Sequence, residues 1–229
     1  MEYPHNRPYT ADDLVRIITL LRDPVNGCPW DKVQTHTSIR MNFLEEAYEA
    51  VDALDLDDPV LMCEELGDVL MQVAFHTCME QETGRFTWEQ VCDGVCQKLI
   101  ERHPNIFGTQ PGYEGITDWD ALKNKEKGRR TLADDLESVP RAMPALMRAA
   151  KLQKRAARHG AALQGADAAA LAAAAENLQT AQPASAQAEQ AVGELLFAAA
   201  NLARQAGVDP EQALQKANEA FCSAAGPVA

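Results

Sequence analysis

The sequence has no excess of positive charge. Its 21 lysines and arginines stand against 34 aspartates and glutamates, leaving a net charge of −13. A field of that sign repels phosphate backbones and anionic lipid, which argues against stable nucleic-acid binding and against a membrane surface. No apolar run approaches the roughly 18 residues needed to span a bilayer. Residues 1–22 lack the cationic start and apolar stretch of a secretory leader. No C-x-x-C pair occurs: the six cysteines are spread along the chain at positions 28, 63, 78, 92, 96 and 222. Cys92 and Cys96 have helical spacing, so the thiols read as reduced, half-buried residues of a cytoplasmic protein. No segment alternates apolar and polar residues as a half-buried strand must. Between Arg40 and Arg85 there is no lysine or arginine at all.

What is present fits one large domain or two small ones: 229 residues, 46% of them hydrophobic, enough to bury a core. The charge is uneven. Residues 1–150 hold 15 basic and 27 acidic side chains, whereas residues 151–229 hold 6 and 7. The 51 residues from Ala156 to Ala206 include 22 alanines. Chemistry that needs charge therefore belongs to the first part.

The pattern is helical throughout. Thr10 and Asp13 form a capping box before Leu14, Ile17, Ile18 and Leu21. Asp23 to Pro29 is a turn-rich loop. A helix is expected from about Ser38 to Leu54, with Phe43, Ala47, Val51 and Leu54 as its apolar stripe. After an acidic break over Asp55 to Pro59, another runs from about Val60 to Glu82, with Leu66, Val69, Leu70 and Val73 as its core face, and Gly84 closes it. Thr87 to Gln90 caps a helix through Arg102, which Pro104 ends. Helices are also expected over 118–127, over 145–158 and after Asp209-Pro210-Glu211. The fold class is all-α. An internal repeat runs through it: Gly67 to Ala74 resembles Gly193 to Ala200, and Gln97-Lys98 resembles Gln215-Lys216.

Two acidic clusters carry the chemistry. Glu45-Glu46-Ala47-Tyr48-Glu49 and Glu64-Glu65-Leu66-Gly67-Asp68 lie on consecutive helices. Residues three apart share a helix face, so Glu46 pairs with Glu49 and Glu65 with Asp68. A short break makes the two helices antiparallel neighbours, and the four carboxylates converge. Like charges at this spacing cost about 0.2–0.5 kcal/mol per pair, with no nearby cation to offset them. Solvated acidic faces are common, but paired clusters of matching spacing point to a bound cation. Oxygen-only ligands favour Mg²⁺ or Mn²⁺. A ferritin-like di-iron site needs Glu-x-x-His on paired helices, and His76 lies eight residues beyond Asp68, so that site is disfavoured. Lys98 and Arg102 share a face of the next helix and suit a phosphate substrate. Trp119 precedes Lys123 by one turn.

These residues resemble the signature of the MazG nucleoside triphosphate pyrophosphohydrolases: Glu-Glu-x-x-Glu, a 15-residue gap, then Glu-x-x-Asp. The flanks are similar too, in Leu21 to Pro24, Gly27 to Asp31, Gln34-Thr35, Glu101 to Gly108 and Pro144 to Gln153. The likeness covers most of residues 12–219. It implies a MazG-like helical bundle of two repeats, with residues 1–138 as the first and 139–229 as a degenerate second used for packing or dimerisation. It also implies a cytoplasmic homodimer that uses Mg²⁺, or Mn²⁺, to hydrolyse nucleoside triphosphates to monophosphate and pyrophosphate. By position the metal ligands would be Glu46, Glu49, Glu65 and Asp68, with Glu45 orienting the attacking water. Asn42, Lys98 and Arg102 would contact substrate, while Trp119 and Lys123 would close over it. In the second repeat Ala191-Val192-Gly193-Glu194 stands where Glu-x-x-Asp is expected, Glu176 alone survives from the first motif, and Ala220 replaces a cation. That repeat is expected to be inactive. The competing readings are a catalytically silent dimeric scaffold, which the erosion favours, and a relative with a narrow substrate such as dUTP or phosphoribosyl-ATP.

Overall fold

Thr10 opens the first helix as its spacing requires. Its hydroxyl accepts from the Asp13 amide and the Asp13 carboxylate accepts from the Thr10 amide, at 3.3 and 2.9 Å. In the computed structural model, which describes residues 3–5, 7–104, 106–108, 122, 126–128 and 131–226, this helix is α1 (Ala11–Leu21). It is followed by α2 (Arg40–Leu56), α3 (Pro59–Glu82) and α4 (Trp88–Arg102) in a first compact unit, Met1–Ile116. The second unit, Thr117–Ala229, contains α5 (Leu132–Glu137), α6 (Ala145–Arg158), α7 (Ala168–Thr180), α8 (Ala186–Gln205) and α9 (Pro210–Ala225). No strand occurs among the described residues, so the fold is all-α. None of their helices is long and apolar enough to cross a membrane. The helix expected over 118–127 lies almost wholly outside the described residues.

Caps set the helix ends. Asp58 accepts from the Val60 and Leu61 amides, and Pro59 fills the first turn of α3. Because α2 runs to Leu56, the break before α3 is Asp57 and Asp58 alone. Asp57 takes the left-handed conformation at φ 53°. Thr87 and Gln90 box the start of α4.

The first core is Ile18, Ile39, Ala74, Phe75, Cys78 and Met79, with Leu14, Val15, Met71 and Trp88 packed against it. It therefore sits on the second half of α3. The expected core face of α3 is corrected here: Leu66 and Leu70 are 50% and 39% exposed, and Val69 and Val73 only half-buried. The reason is reach. An 11-residue α1 spans about 16 Å, less than half the length of the 24-residue α3. Likewise α2 buries Ala50 and Ala53, not Val51 and Leu54. Small residues let α2 and α3 approach closely and leave the larger ones outside.

Arg22 fixes the loop between α1 and α2. Only 8% exposed, it donates to Glu82 at 2.5 and 2.8 Å and to the Asp31 and Gln34 carbonyls at 2.7 and 3.2 Å. Its guanidinium lies 5.3 Å from the Phe75 ring centre. Gly27 is required nearby, since a Cβ there would come within 2.4 Å of the Asp23 carbonyl oxygen.

The second unit repeats the arrangement. As α1 packs on α3, so α6 packs on α8. As α2 pairs with α3, so α7 pairs with α8. Alanines make the seam, with Ala174, Ala191, Ala198 and Ala200 all buried. Asn201 donates to the Ala166 carbonyl at 2.6 Å and Gln153 to that of Phe197 at 2.8 Å. On α5, Asp135 is 1% exposed and faces Arg155 at 3.0 Å, His159 at 3.2 Å and Arg158 at 3.7 Å. Arg155 also donates to Ser138 Oγ.

Candidate active site

The two-residue turn returns α3 alongside α2 and lays the acidic faces against each other. Glu46, Glu49 and Glu65 converge: one carboxylate oxygen from each lies within 4.8 Å of the others. This is the one such group of three acidic, histidine or cysteine side chains among the described residues. Asp68 is half-buried and stands outside the trio, one turn beyond Glu65 on α3. Its charge nevertheless acts on both Glu46 and Glu65. Glu45 is exposed and also outside the trio, and its charge reaches Glu46.

The electrostatics are those of a crowded anionic site. Loss of water holds the Glu46 carboxyl above the usual glutamate range, and Asp68, Glu49 and Glu45 push the same way. Opposing them, Gln72 donates to Glu46 Oε1 at 3.4 Å. Glu65 is raised as well, first by desolvation and then by Glu49, Asp68, Glu64 and Glu46. A hard divalent cation fits this donor set. It takes carboxylate oxygens, it supplies the missing positive charge, and the partly open setting leaves room for substrate oxygens.

Gln72 touches the candidate site through Glu46, and the acidic pattern did not reveal it. It is 7% exposed and lies four residues past Asp68, on the same face of α3. That spacing was its only signal. Asn42 is half-buried on α2, one turn before Glu46. Lys98 is exposed and Arg102 half-buried on α4, which packs against α3. Lys98 makes no ion pair among the described residues. Trp119 and Lys123 lie outside the described residues.

Further along α3, His76 meets His36 rather than the trio. The rings stack with centres 5.0 Å apart, and their Nδ1 atoms are 2.7 Å apart. Burial and His36 together lower the His76 pKa. Glu80 contacts His36 Nε2 at 2.5 Å and Arg85 at 2.6 Å. With Phe43 and Phe86 these side chains line a cavity of about 600 Å³. Nothing in the sequence pattern joins His36 to His76, because the contact spans 40 positions.

No such convergence of acidic, histidine or cysteine side chains occurs among the described residues of the second unit. Ala191 is buried in the helix seam, Glu194 accepts from Gln190 at 2.8 Å, and Glu176 is exposed.

The helices that carry the trio fall within a stretch of recognised kinship. Residues 34–107 match the family model of the MazG nucleotide pyrophosphohydrolase domain. Over 227 residues the chain is 41% identical to the nucleoside triphosphate pyrophosphohydrolase of Escherichia coli (strain K12), covering 92% of this chain and 83% of that one. It is 39% identical over 212 residues to the nucleoside triphosphate pyrophosphohydrolase/pyrophosphatase MazG of Thermotoga maritima, covering 92% and 82%. With the nucleoside triphosphate pyrophosphohydrolase of Mycobacterium tuberculosis it shares 38% over 154 residues, covering 66% and 46%. Paired acidic helices, a repeated helical arrangement and identity across nine-tenths of the chain lead to one conclusion: this protein belongs to the MazG nucleotide pyrophosphohydrolase family, a family of hydrolases.

Proposed function

We propose that this chain hydrolyses nucleoside triphosphates to nucleoside monophosphate and pyrophosphate, with Mg²⁺ as cofactor and Mn²⁺ as a substitute, at the acidic centre of residues 1–138. The convergence of Glu46, Glu49 and Glu65 carries this reading. Those three residues, with Asp68, would hold the ion. When bound, it supplies charge neutralisation to the phosphate oxygens as the anhydride bond breaks. Gln72 holds Glu46 in place by its hydrogen bond. Glu45 takes a proton from the attacking water, whose oxygen bonds to the α-phosphorus, while pyrophosphate leaves with the bridging oxygen. Asn42, Lys98 and Arg102 hold the phosphates, and Trp119 and Lys123 close over the nucleotide. The cavity of about 600 Å³ further along α3, which Phe43, one turn before Glu46 on α2, also lines, is of a size to take the nucleoside.

Residues 139–229 serve packing, since the second unit offers no convergent carboxylates among its described residues. The chain acts as a homodimer. Val51, Leu54, Leu66 and Leu70 on α2 and α3 remain between 39% and 51% exposed, apolar surface that a second copy would cover. The cytoplasm, where triphosphates are made and used, is its place of action.

The test is pyrophosphate release from a panel of ribo- and deoxyribonucleoside triphosphates, with Mg²⁺ and with EDTA. Release in Mg²⁺ and none in EDTA is expected. A folded protein that releases no pyrophosphate from any of them would leave the binding scaffold as the better account.

A further inference from the structure

The second unit, eroded at its acidic positions, is built differently at its opposite end. A cavity of about 640 Å³ lies between α6, the C-terminal end of α8 and the start of α9. Lys151, Lys154, Arg155 and Arg204 line it, four of the six lysines and arginines in residues 151–229. In a chain of net charge −13, that concentration in one hollow costs repulsion and calls for an anion.

Two features show that the charge is organised. Arg155 is 6% exposed, and Asp135 fixes it from behind at 3.0 Å. Arg204 is held by Asn201, whose side-chain oxygen accepts from its Nε and Nη2 at 3.0 and 2.8 Å. Asn201 is itself 2% exposed and anchored to the Ala166 carbonyl, so the guanidinium is set in place by a neutral group that leaves its charge unmatched. Among the described residues Lys151, Lys154 and Arg204 have no carboxylate partner. Asp209, the acidic residue on the wall, is spent on capping α9, where it accepts from the Glu211 and Gln212 amides at 2.9 and 3.1 Å. The remaining wall is largely apolar, with Met143 and Met147. Methionine adapts to flat, polarisable rings.

We propose that this cavity binds a phosphorylated nucleoside, its phosphates on Lys151, Lys154 and Arg204 and its nucleoside against the two methionines. The cavity is built within the second unit from residues outside the acidic trio. It needs no divalent ion, and Arg204 lies ten residues along α8 from Glu194, about 15 Å at the helical rise.

Calorimetric titration of the full chain in EDTA, with ATP, GTP and pyrophosphate as probes, tests it. EDTA removes the metal that turnover at the acidic centre requires, so failure of that centre leaves this test intact. Saturable nucleotide binding is expected, weakened about 10- to 100-fold by the Lys151→Glu/Lys154→Glu double variant, with pyrophosphate bound more weakly than either nucleotide. Both lysines are exposed, and an unchanged helical circular-dichroism spectrum confirms the fold of the variant. Absence of saturable binding in the unaltered protein would overturn the proposal, as would equal binding by the double variant. Pyrophosphate binding as tight as that of ATP would overturn the nucleoside part of it.

Discussion

Glu65 shows what one carboxylate of the proposed metal centre costs in stability. Its carboxyl is held high by desolvation and by Glu49, Asp68, Glu64 and Glu46. A group whose folded pKa is raised favours folding most below the ordinary glutamate value near 4.5, and that contribution is lost as pH rises through the raised pKa. Glu46 behaves alike. The metal-free protein should therefore lose stability across that window, while the Tm gained on adding Mg²⁺ should grow across it. Thermal melts with and without Mg²⁺ over a pH series check this; a gain that shrinks towards neutral pH would contradict it. Glu65→Gln should raise the metal-free Tm, abolish the Mg²⁺-induced gain and cut turnover by at least about 100-fold. Gln72→Leu should cost turnover about 10- to 100-fold, because Glu46 loses the side-chain donor that holds it while the ligands stay. Steady-state kinetics at saturating Mg²⁺ separate the two. The acidic residues were legible because carboxylates three apart on neighbouring helices repel one another, a cost that a bound cation removes. Gln72, neutral and alone, was not. Nor was the pairing of His36 with His76, which exists only once the loop before α2 folds against α3.

At the level of helices, the elements that carry caps were legible. Thr10 with Asp13, Thr87 with Gln90 and Asp209 with Pro210 all start helices where their side chains satisfy the first amides. The alanine-rich α7 and α8 gave a weaker signal, because alanine on every face leaves no apolar contrast for periodicity to detect. Periodicity also misled on α3. It found an apolar face over Leu66 to Val73, but an apolar face does not say what covers it, and α1 reaches only the other half. The loop motif around Leu21 to Gln34 gains its physical reason from Arg22. Arg22→Met removes donors from Glu82 and from two carbonyls, and should destabilise the protein by about 2–4 kcal/mol, read by urea denaturation. In the second unit Asp135→Asn leaves Arg155 buried with its charge unmatched, at a cost of about 3–5 kcal/mol by the same measurement.

For the whole molecule, the two units show one helical arrangement under two demands. The first keeps its acids at the cost of repulsion, and Val51, Leu54, Leu66 and Leu70 on α2 and α3 stay outside its own core. Sedimentation should find a dimer, and Leu54→Glu together with Leu66→Glu should shift it to monomer without loss of helix content; an unaltered sedimentation coefficient would contradict that assignment of the face. The second unit is seamed by alanines and small contacts, and the chemistry should not lie there. The most direct measurement is product analysis of nucleoside triphosphate turnover in Mg²⁺ by Glu49→Ala beside the paired variant Glu176→Ala/Glu194→Ala. The account predicts monophosphate and pyrophosphate in equal amounts from the unaltered chain and from the second-unit variant, and neither from Glu49→Ala. Turnover that survives Glu49→Ala, or that stops with the second-unit variant, would contradict it.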